Sequence, residues 1–265
     1  MKKQDFETDL KTCFDQFHKK VSSKDGDWTV KGFIDIYKNI YTISIDTKVI
    51  SKIFELMLFP IINNFSIEKH YKMHLCEHQN FYPDMTFIDS DGKKYALDLK
   101  STYRKGDDKV NGMTLGAFTG YFRDRKITKN ITFPYNDYEK HFVLGIIYSR
   151  IEEDKIDEKK TYTIDQLQSI SSVVKDFDFF IQEKYKIAID RPGSGNTKNI
   201  GSATNIKKLK NGTGPFSKLG LKIFDDYWVN YMTKDMARGV DLPKPPYRNL
   251  EEYFKFKNLK MEDFK

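Results

Sequence analysis

Hydrophobic positions at helical spacing dominate the first part of the chain. Their periodicity predicts an amphipathic helix over residues 5–20 and a second helix from residue 47 to about residue 64. The side chains that would point inward in the first helix are Phe6, Leu10, Cys13, Phe14 and Phe17. Asp46 is placed to cap the second helix, and Pro60 is expected to kink it.

Strand patterns occupy the segments between and after these helices. Residues 28–45 alternate around Gly32 and predict a short strand pair, whereas residues 142–148 form a continuous apolar run typical of a strand buried on both faces. Residues 152–160 are charged and predict an excursion from the core. Residues 191–202, rich in glycine and hydroxyl side chains, are expected to form a loop.

The segment from Asp84 to Lys100 reads as a β-hairpin with polar groups on one face. Ser90-Asp91-Gly92 fits a three-residue turn that pairs Asp89 with Lys93. Counting back along an antiparallel ladder places Asp84 opposite Asp98, at roughly 5 Å. Because strand side chains alternate, Asp98 and Lys100 share that face, while Leu97 and Leu99 bury on the other. A slip of one residue would separate the acids.

Two carboxylates so close suit a hard cation such as Mg²⁺, which also binds water and phosphate oxygens. Lys100 beside them could position the attacking water and stabilise the negative charge of a phosphodiester transition state. A Pro-Asp followed by Asp-x-Lys also arises by chance, so a solvated hairpin face stays open. The expected burial of Asp98 argues against that reading, since an unpaired buried carboxylate is costly.

Two further features each admit two readings. Glu55 lies among apolar positions and is either a half-exposed helix residue or a further metal ligand facing Asp84 and Asp98. The loop around Gly193 and Asn196 is either a plain surface loop or a segment whose backbone approaches DNA. In the second case Asn196 would offer an amide to adenine and Thr197 a methyl to thymine.

Composition narrows the class of protein. With 265 residues, the chain fits one large domain or two subdomains, and a net charge of +7 with a pI of about 9.0 favours a polyanionic partner. Two cysteines, Cys13 and Cys76, support neither a disulfide framework nor a zinc site, so a reducing cytoplasm is expected. No signal peptide is visible, and the longest apolar run, residues 56–62, is too short to span a bilayer.

The order of these motifs resembles a known family. Glu55, Tyr82-Pro83-Asp84, Asp98-Leu99-Lys100 and Gly193-Ser194-Gly195-Asn196-Thr197 follow one another as in the EcoRV-like type II restriction endonucleases of the PD-(D/E)xK superfamily. The resemblance extends over residues 44–202 and is looser outside them.

The resemblance implies an α/β fold in which a central mixed β-sheet is flanked by helices, with a small dimerisation subdomain. The whole chain, 1–265, would be a single restriction-endonuclease domain. Residues 20–45 and 150–170 would dimerise, and residues 46–150 and 171–265 would form the catalytic and DNA-binding core. The implied activity is that of a type II site-specific deoxyribonuclease: Mg²⁺-dependent, homodimeric hydrolysis of palindromic duplex DNA, with blunt cleavage at the centre of GATATC. A cognate DNA methyltransferase would be expected in the host.

The resemblance also implies roles for individual residues. Asp84, Asp98 and Glu55 would bind metal, and together with Lys100 they would form the catalytic site. A loop at Gln79 and Asn80 would approach the minor groove. The remaining DNA-binding positions would be Gly193, Ser194, Gly195, Asn196, Thr197, Lys198, Asn199, Lys129 and Arg238. Lys198 stands where the family has a threonine, which adds a charge suited to phosphate.

Two other functions fit the same residues. A repair or junction nuclease of this fold would need no base-reading loop. A DNA-binding module without catalysis would use only the basic surface.

Overall fold

The structure is a computed structural model that describes residues 5–78, 80–151, 158–193 and 198–264. In chain order, the α-helices are α1 (Phe6–Lys11), α2 (Phe14–Val21), α3 (Thr47–Glu68), α4 (Lys184–Ile187), α5 (Ile206–Asn211), α6 (Gly220–Asn230), α7 (Lys234–Arg238) and α8 (Leu250–Phe256). The strands are β1 (Gly32–Ile34), β2 (Ile40–Thr42), β3 (Lys72–Leu75), β4 (Met85–Ile88), β5 (Lys94–Tyr103), β6 (Thr114–Ala117), β7 (Tyr138–Arg150), β8 (Thr161–Tyr162), β9 (Val174–Glu183), β10 (Ala188–Pro192) and β11 (Asn199–Ser202).

A five-stranded mixed sheet in the order β3-β4-β5-β7-β9 forms the centre of the fold. Strand β5 pairs antiparallel with β4 and parallel with β7, and the other neighbours are antiparallel. The apolar run at residues 142–148 lies within β7 and is buried, as predicted, directly beside the hairpin strand β5. The expected α/β architecture with a central mixed sheet is therefore confirmed.

Each face of this sheet is covered by its own hydrophobic core. One core joins α1, α2 and α3 to the face that carries Leu97 and Leu144. The other joins α6 and α8 to the face that carries Ala96 and Val143. Because alternate residues of β5 enter different cores, the strand is fixed in register from both sides.

Helix α3 belongs to the first core. Asp46 caps it by accepting hydrogen bonds from the backbone N–H groups of Lys48 and Val49, and the helix continues through Pro60 to Glu68, beyond the predicted end. By length and composition alone α3 is a candidate membrane span among the described residues. Ile50 and Phe54 are nevertheless fully buried in the core with the central sheet, which is the packing of a core helix.

The single helix expected over residues 5–20 is wrong, because the structure divides it into α1 and α2. The Thr12 hydroxyl donates to the Asp9 carbonyl at 2.7 Å, and the Cys13 N–H donates to the Leu10 carbonyl three residues back. Such local bonds compete with the regular helical ladder. The break costs little burial, since Phe6, Leu10 and the other inward residues except Phe14 are still buried.

Two small sheets flank the centre. The predicted strand pair forms as β1 and β2, and β8 joins it to give the order β1-β2-β8. The loop expected over residues 191–202 is too long, because its two sides are the antiparallel strands β10 and β11. Strand β11 also pairs with β6, so tertiary pairing overrides the loop-like composition of this segment.

Candidate active site

The hairpin formed by β4 and β5 has the register that the sequence predicts. Its ladder pairs Ile88 with Lys94 and Met85 with Leu97, and one more step sets Asp84 opposite Asp98. The turn closes with the Asp89 N–H donating to the Lys93 carbonyl, and Gly92 adopts a φ of +79° that favours glycine. Turn and ladder thus place two acids on the same strand pair.

Asp98 is held from the side by Lys100. Its carboxylate lies 2.5 Å from the Lys100 ammonium, and the residue is only 6% exposed. Asp84 accepts a hydrogen bond of 2.7 Å from the backbone N–H of Leu99, which ties the two hairpin strands together just beyond the ladder. The acids and the lysine therefore occupy defined positions at the end of β4 and the middle of β5.

The cleft above them is lined by one side of α3. It has a volume of about 190 Å³ and contains Asp84 and Lys100 together with the helix residues Lys48, Ser51, Lys52 and Glu55. Their spacing of three, four and seven residues forms a polar stripe on an otherwise apolar helix. The Ser51 hydroxyl lies 2.6 Å from that of Ser101, which fastens this stripe to β5.

Glu55 lies in this cleft but not in a cluster with the other acids. Its side chain pairs with Lys52 at 2.7 Å and is 40% exposed. Among the described residues, no group of three or more His, Cys, Asp and Glu side chains is arranged to hold a metal ion. The structure thus brings Asp84 and Asp98 together and places Glu55 on the opposite wall, bound to a lysine.

Burial and mutual repulsion dominate the electrostatics of the acid pair. Burial, and then the charge of Asp98, raises the pKa of the Asp84 carboxyl to about 7, although Lys100 and the Leu99 N–H act in the opposite direction. For Lys100, burial disfavours the ammonium, but Asp98 and Asp84 outweigh it and raise its pKa. Two carboxylates that resist ionising together form a donor set that a divalent cation would relieve, so these residues fit a hard metal ion.

A second cleft shares Lys100 with the first and extends to β6. It contains Lys100 and Ser101 of β5 and reaches Thr114, the first residue of β6. Thr114 pairs with Gly201 of β11, the strand that follows the expected base-reading loop. The cleft therefore runs from Lys100 toward the β10–β11 hairpin.

The residues expected to read bases are only partly within the described part of the chain. Gly193 is exposed, and its N–H donates to the carbonyl of Asn199 at 3.0 Å. Lys198 is exposed, and its carbonyl accepts from the N–H of Phe118. Ser194, Gly195, Asn196 and Thr197 lie outside the described residues, as does Gln79.

The other expected DNA contacts are exposed. Asn80 and Lys129 are on the surface, each in a turn. Arg238 lies in a cleft of about 480 Å³ with Arg191, Lys234 and Arg248, where Asp235 is 3.7 Å from the Arg238 guanidinium. Because Arg191 belongs to β10, this basic cleft adjoins the β10–β11 hairpin.

The sequence interpretation missed several residues of the site. Lys48, Ser51 and Lys52 could have been found, because they share the helical face of Glu55. Lys184, whose ammonium lies 4.6 Å from the centroid of the Tyr82 ring, follows an ordinary Gln-Glu dipeptide and carries no local signal. Its burial is a consequence of tertiary structure alone.

Comparison with known proteins agrees with this geometry. The family described as Restriction endonuclease EcoRV matches residues 24–258. The type II restriction enzyme EcoRV of Escherichia coli is 38% identical over 229 residues, which cover 85% of this chain and 89% of that enzyme. Among solved structures, the NlaIV restriction endonuclease aligns with 95% of this chain and 90% of its own, at a TM-score of 0.43 and 13% identity. The last likeness is too distant to add to the assignment.

The family match spans most of the chain and includes the hairpin, the polar stripe of α3 and the β10–β11 hairpin. Asp84, Asp98 and Lys100 therefore lie within a region of extended sequence similarity rather than in an isolated short motif. The chain belongs to the EcoRV restriction endonuclease family and is a DNA-acting nuclease.

Proposed function

We propose that this protein is a type II restriction endonuclease that uses Mg²⁺ to cut palindromic duplex DNA at the centre of GATATC and leaves blunt ends. The observation that carries the proposal is the assembly of Asp84, Asp98 and Lys100 at one cleft, in a chain 38% identical to a type II restriction enzyme. The cleft is continuous with an exposed groove toward the β10–β11 hairpin, which gives a duplex access to the acids.

In this mechanism the protein supplies carboxylate ligands and one ammonium group. Asp84 and Asp98 would hold Mg²⁺, with Glu55 assisting from the opposite wall, and the ion would supply Lewis-acid chemistry at the scissile phosphate. Lys100 carries its proton at neutral pH because the two carboxylates raise its pKa. Its ammonium orients the attacking water and stabilises the additional negative charge of the transition state.

Sequence recognition is assigned to the β10–β11 hairpin. Residues 193–199 carry backbone groups, an amide and a methyl that match the edges of adenine and thymine in the major groove. Gln79 and Asn80 approach the minor groove. Lys129, Lys198 and Arg238 contact phosphates, which position the duplex without reading it. At the central TA step, specificity arises from the low cost of kinking that step.

The small sheet β1-β2-β8 is assigned to dimerisation. It exposes an apolar patch that a monomer would rarely maintain. The exposed apolar residues of this sheet, its β1–β2 turn and the following 3₁₀ helix are Phe33, Ile34, Ile36, Tyr37, Tyr41, Ile164 and Leu167. A second copy bound by two-fold symmetry would present two hairpins to the two half-sites of a palindrome. In the host, this activity calls for a cytoplasmic location and a DNA methyltransferase that protects the same site.

The proposed function is tested by cleavage of a plasmid that contains a single GATATC site. Purified protein with Mg²⁺ should produce one linear product, and sequencing of its ends should place a blunt cut at the central step. Cleavage at discrete positions within another palindrome would support the enzyme class but overturn GATATC as the recognition sequence. Preferential cutting of a branched duplex would indicate a junction nuclease, and binding without cutting under any divalent ion would indicate a non-catalytic module.

Dimerisation gives a separate prediction. Light scattering after gel filtration should show the mass of two 31.2 kDa chains. Replacement of Ile36, which is 87% exposed, by glutamate should weaken the dimer by about 10-fold or more, because a charge would enter the apolar interface. Ile67→Glu is the matched control, since Ile67 is 65% exposed outside this patch and its replacement should leave the mass unchanged. A wild-type chain that elutes as a monomer would contradict the assignment.

A further inference from the structure

Lys184 is a buried ammonium for which the proposed mechanism has no use. The residue begins α4 directly after β9 and is 2% exposed. Its Nζ atom has no hydrogen-bond partner among the described residues. Removing a charged group from water without a partner is expensive, so its place in the interior calls for a compensating benefit.

Aromatic rings surround this ammonium. Its Nζ atom lies 4.6 Å from the ring centroid of Tyr82, 5.4 Å from that of Tyr135 and 5.6 Å from that of Phe122. We call these three side chains the aromatic cage. Ring faces attract cations, and the attraction grows when water is absent. The cage therefore retains the charge of Lys184 without neutralising it.

The cage is part of the structure that holds the acids. Tyr82 lies two residues before Asp84, and its hydroxyl is 2.9 Å from Nδ1 of His141 on β7. On another side, a Cβ atom at Gly116 of β6 would come within 3.7 Å of the Lys184 ammonium. Gly116 also has a φ of +89°, a backbone conformation that favours glycine. Lys184 thus lies where the acid-bearing hairpin meets the sheet that carries the β10–β11 hairpin.

Burial and the surrounding charges act on the pKa of Lys184 in opposite directions. Burial lowers its pKa to about 8, while Asp98 and then Asp225 act to keep it protonated. Lys100 and Arg125 add to the lowering. Asp98 is thus the largest favourable charge on the Lys184 ammonium, and it pairs directly with Lys100.

We propose that Lys184 is a positioning residue, whose caged ammonium holds the Asp84 segment through the Tyr82 ring. It acts from the interior and adds to the direct ion pair between Lys100 and Asp98. The inference rests on the proposed nuclease function and adds a residue that touches neither metal nor DNA.

Replacement of Lys184 by methionine tests the proposal, because methionine keeps the length and apolar volume of the side chain and removes its charge. Three quantities are measured: the midpoint of thermal unfolding, DNA affinity in Ca²⁺, and the single-turnover cleavage rate in Mg²⁺. We expect an unfolding temperature equal to or above that of the wild type, since a buried charge is replaced by an apolar group. DNA affinity should stay within about 2-fold, and the cleavage rate should fall by about 10-fold or more.

The matched control is Lys186→Met, on the same short helix, where Lys186 forms a conventional ion pair with Glu183. It should leave cleavage unchanged. Wild-type cleavage combined with an equally active Lys184→Met variant overturns the inference. A variant that loses stability, DNA binding and cleavage together also overturns it, since that result describes a packing role. If Lys184→Met does not fold, Lys184→Gln is judged by the same three quantities, and failure of both to fold counts against the proposal. Absence of cleavage by the wild type would instead overturn the proposed function.

Discussion

Replacing Asp98 by alanine should lower the rate of DNA cleavage by at least about 10³-fold and leave sequence-specific binding in Ca²⁺ in place. The carboxylate is buried and pairs with Lys100, which lines the cleft beside Asp84. Its loss would remove a proposed metal ligand and the partner of Lys100 in one step. Metal stabilisation of transition-state charge contributes several kcal/mol, and about 4 kcal/mol corresponds to a factor of about 10³.

The measurement is single-turnover cleavage of a GATATC duplex, with binding followed separately by gel shift in Ca²⁺. Asp91→Ala is the matched control, because Asp91 is an exposed acid in the turn of the same hairpin. That variant should cut at the wild-type rate. A cleavage rate of Asp98→Ala within about 10-fold of the wild-type rate would contradict the assignment of Asp98 to the active site.

Replacing Asp84 by asparagine should abolish cleavage and yet stabilise the folded protein at pH 8. Burial and Asp98 raise the pKa of Asp84 to about 7 in the folded state, against 3.8 for an unperturbed carboxyl. The folded state therefore binds the extra proton between about pH 4 and pH 7. The stabilisation that this proton provides is complete below pH 4 and is lost as the pH rises through 7. Asparagine is uncharged at every pH, so the variant does not lose stability in this way as the pH rises.

The expected gain in the free energy of unfolding at pH 8 is on the order of 2–4 kcal/mol, and it should shrink toward pH 5. Urea unfolding of the wild type and the variant at both pH values measures it. Asparagine still offers an oxygen to the Leu99 N–H, so the hydrogen bond between the strands is retained. Asp91→Asn should change stability by less than about 0.5 kcal/mol at either pH. A variant less stable than the wild type at pH 8 would contradict the proposed repulsion.

The sequence predicts most of the hairpin but less of its surroundings. The register of Asp84 against Asp98 follows from a strand period of two and from Gly92 in the turn, both of which are local properties. The cap at Asp46 and the buried strand at residues 142–148 are local in the same sense. Local rules fail where pairing with a distant segment determines the backbone conformation, as in β11, which forms a strand by pairing with β6.

The position of Glu55 and the burial of Lys184 also lie beyond local rules. Helical periodicity places Glu55 on the polar stripe of α3, but its ion pair with Lys52 depends on side-chain rotamers within the cleft. Lys184 is buried because β9 ends beneath a group of tyrosines contributed by other segments. A lysine in a charged stretch ordinarily predicts an exposed position.

The central position of β5 has a consequence for how the enzyme could release and rebind DNA. Strand β5 pairs with β7 along its whole length and with β4 over its first four residues, so opening of its backbone requires disruption of the central sheet. The β10–β11 hairpin and the basic cleft of Arg238 lie on short peripheral elements. Local unfolding of these short elements costs less free energy than opening of the central sheet. In the proposed mechanism, local opening of these peripheral elements would therefore allow a duplex to be released and rebound without a change in the positions of the two acids.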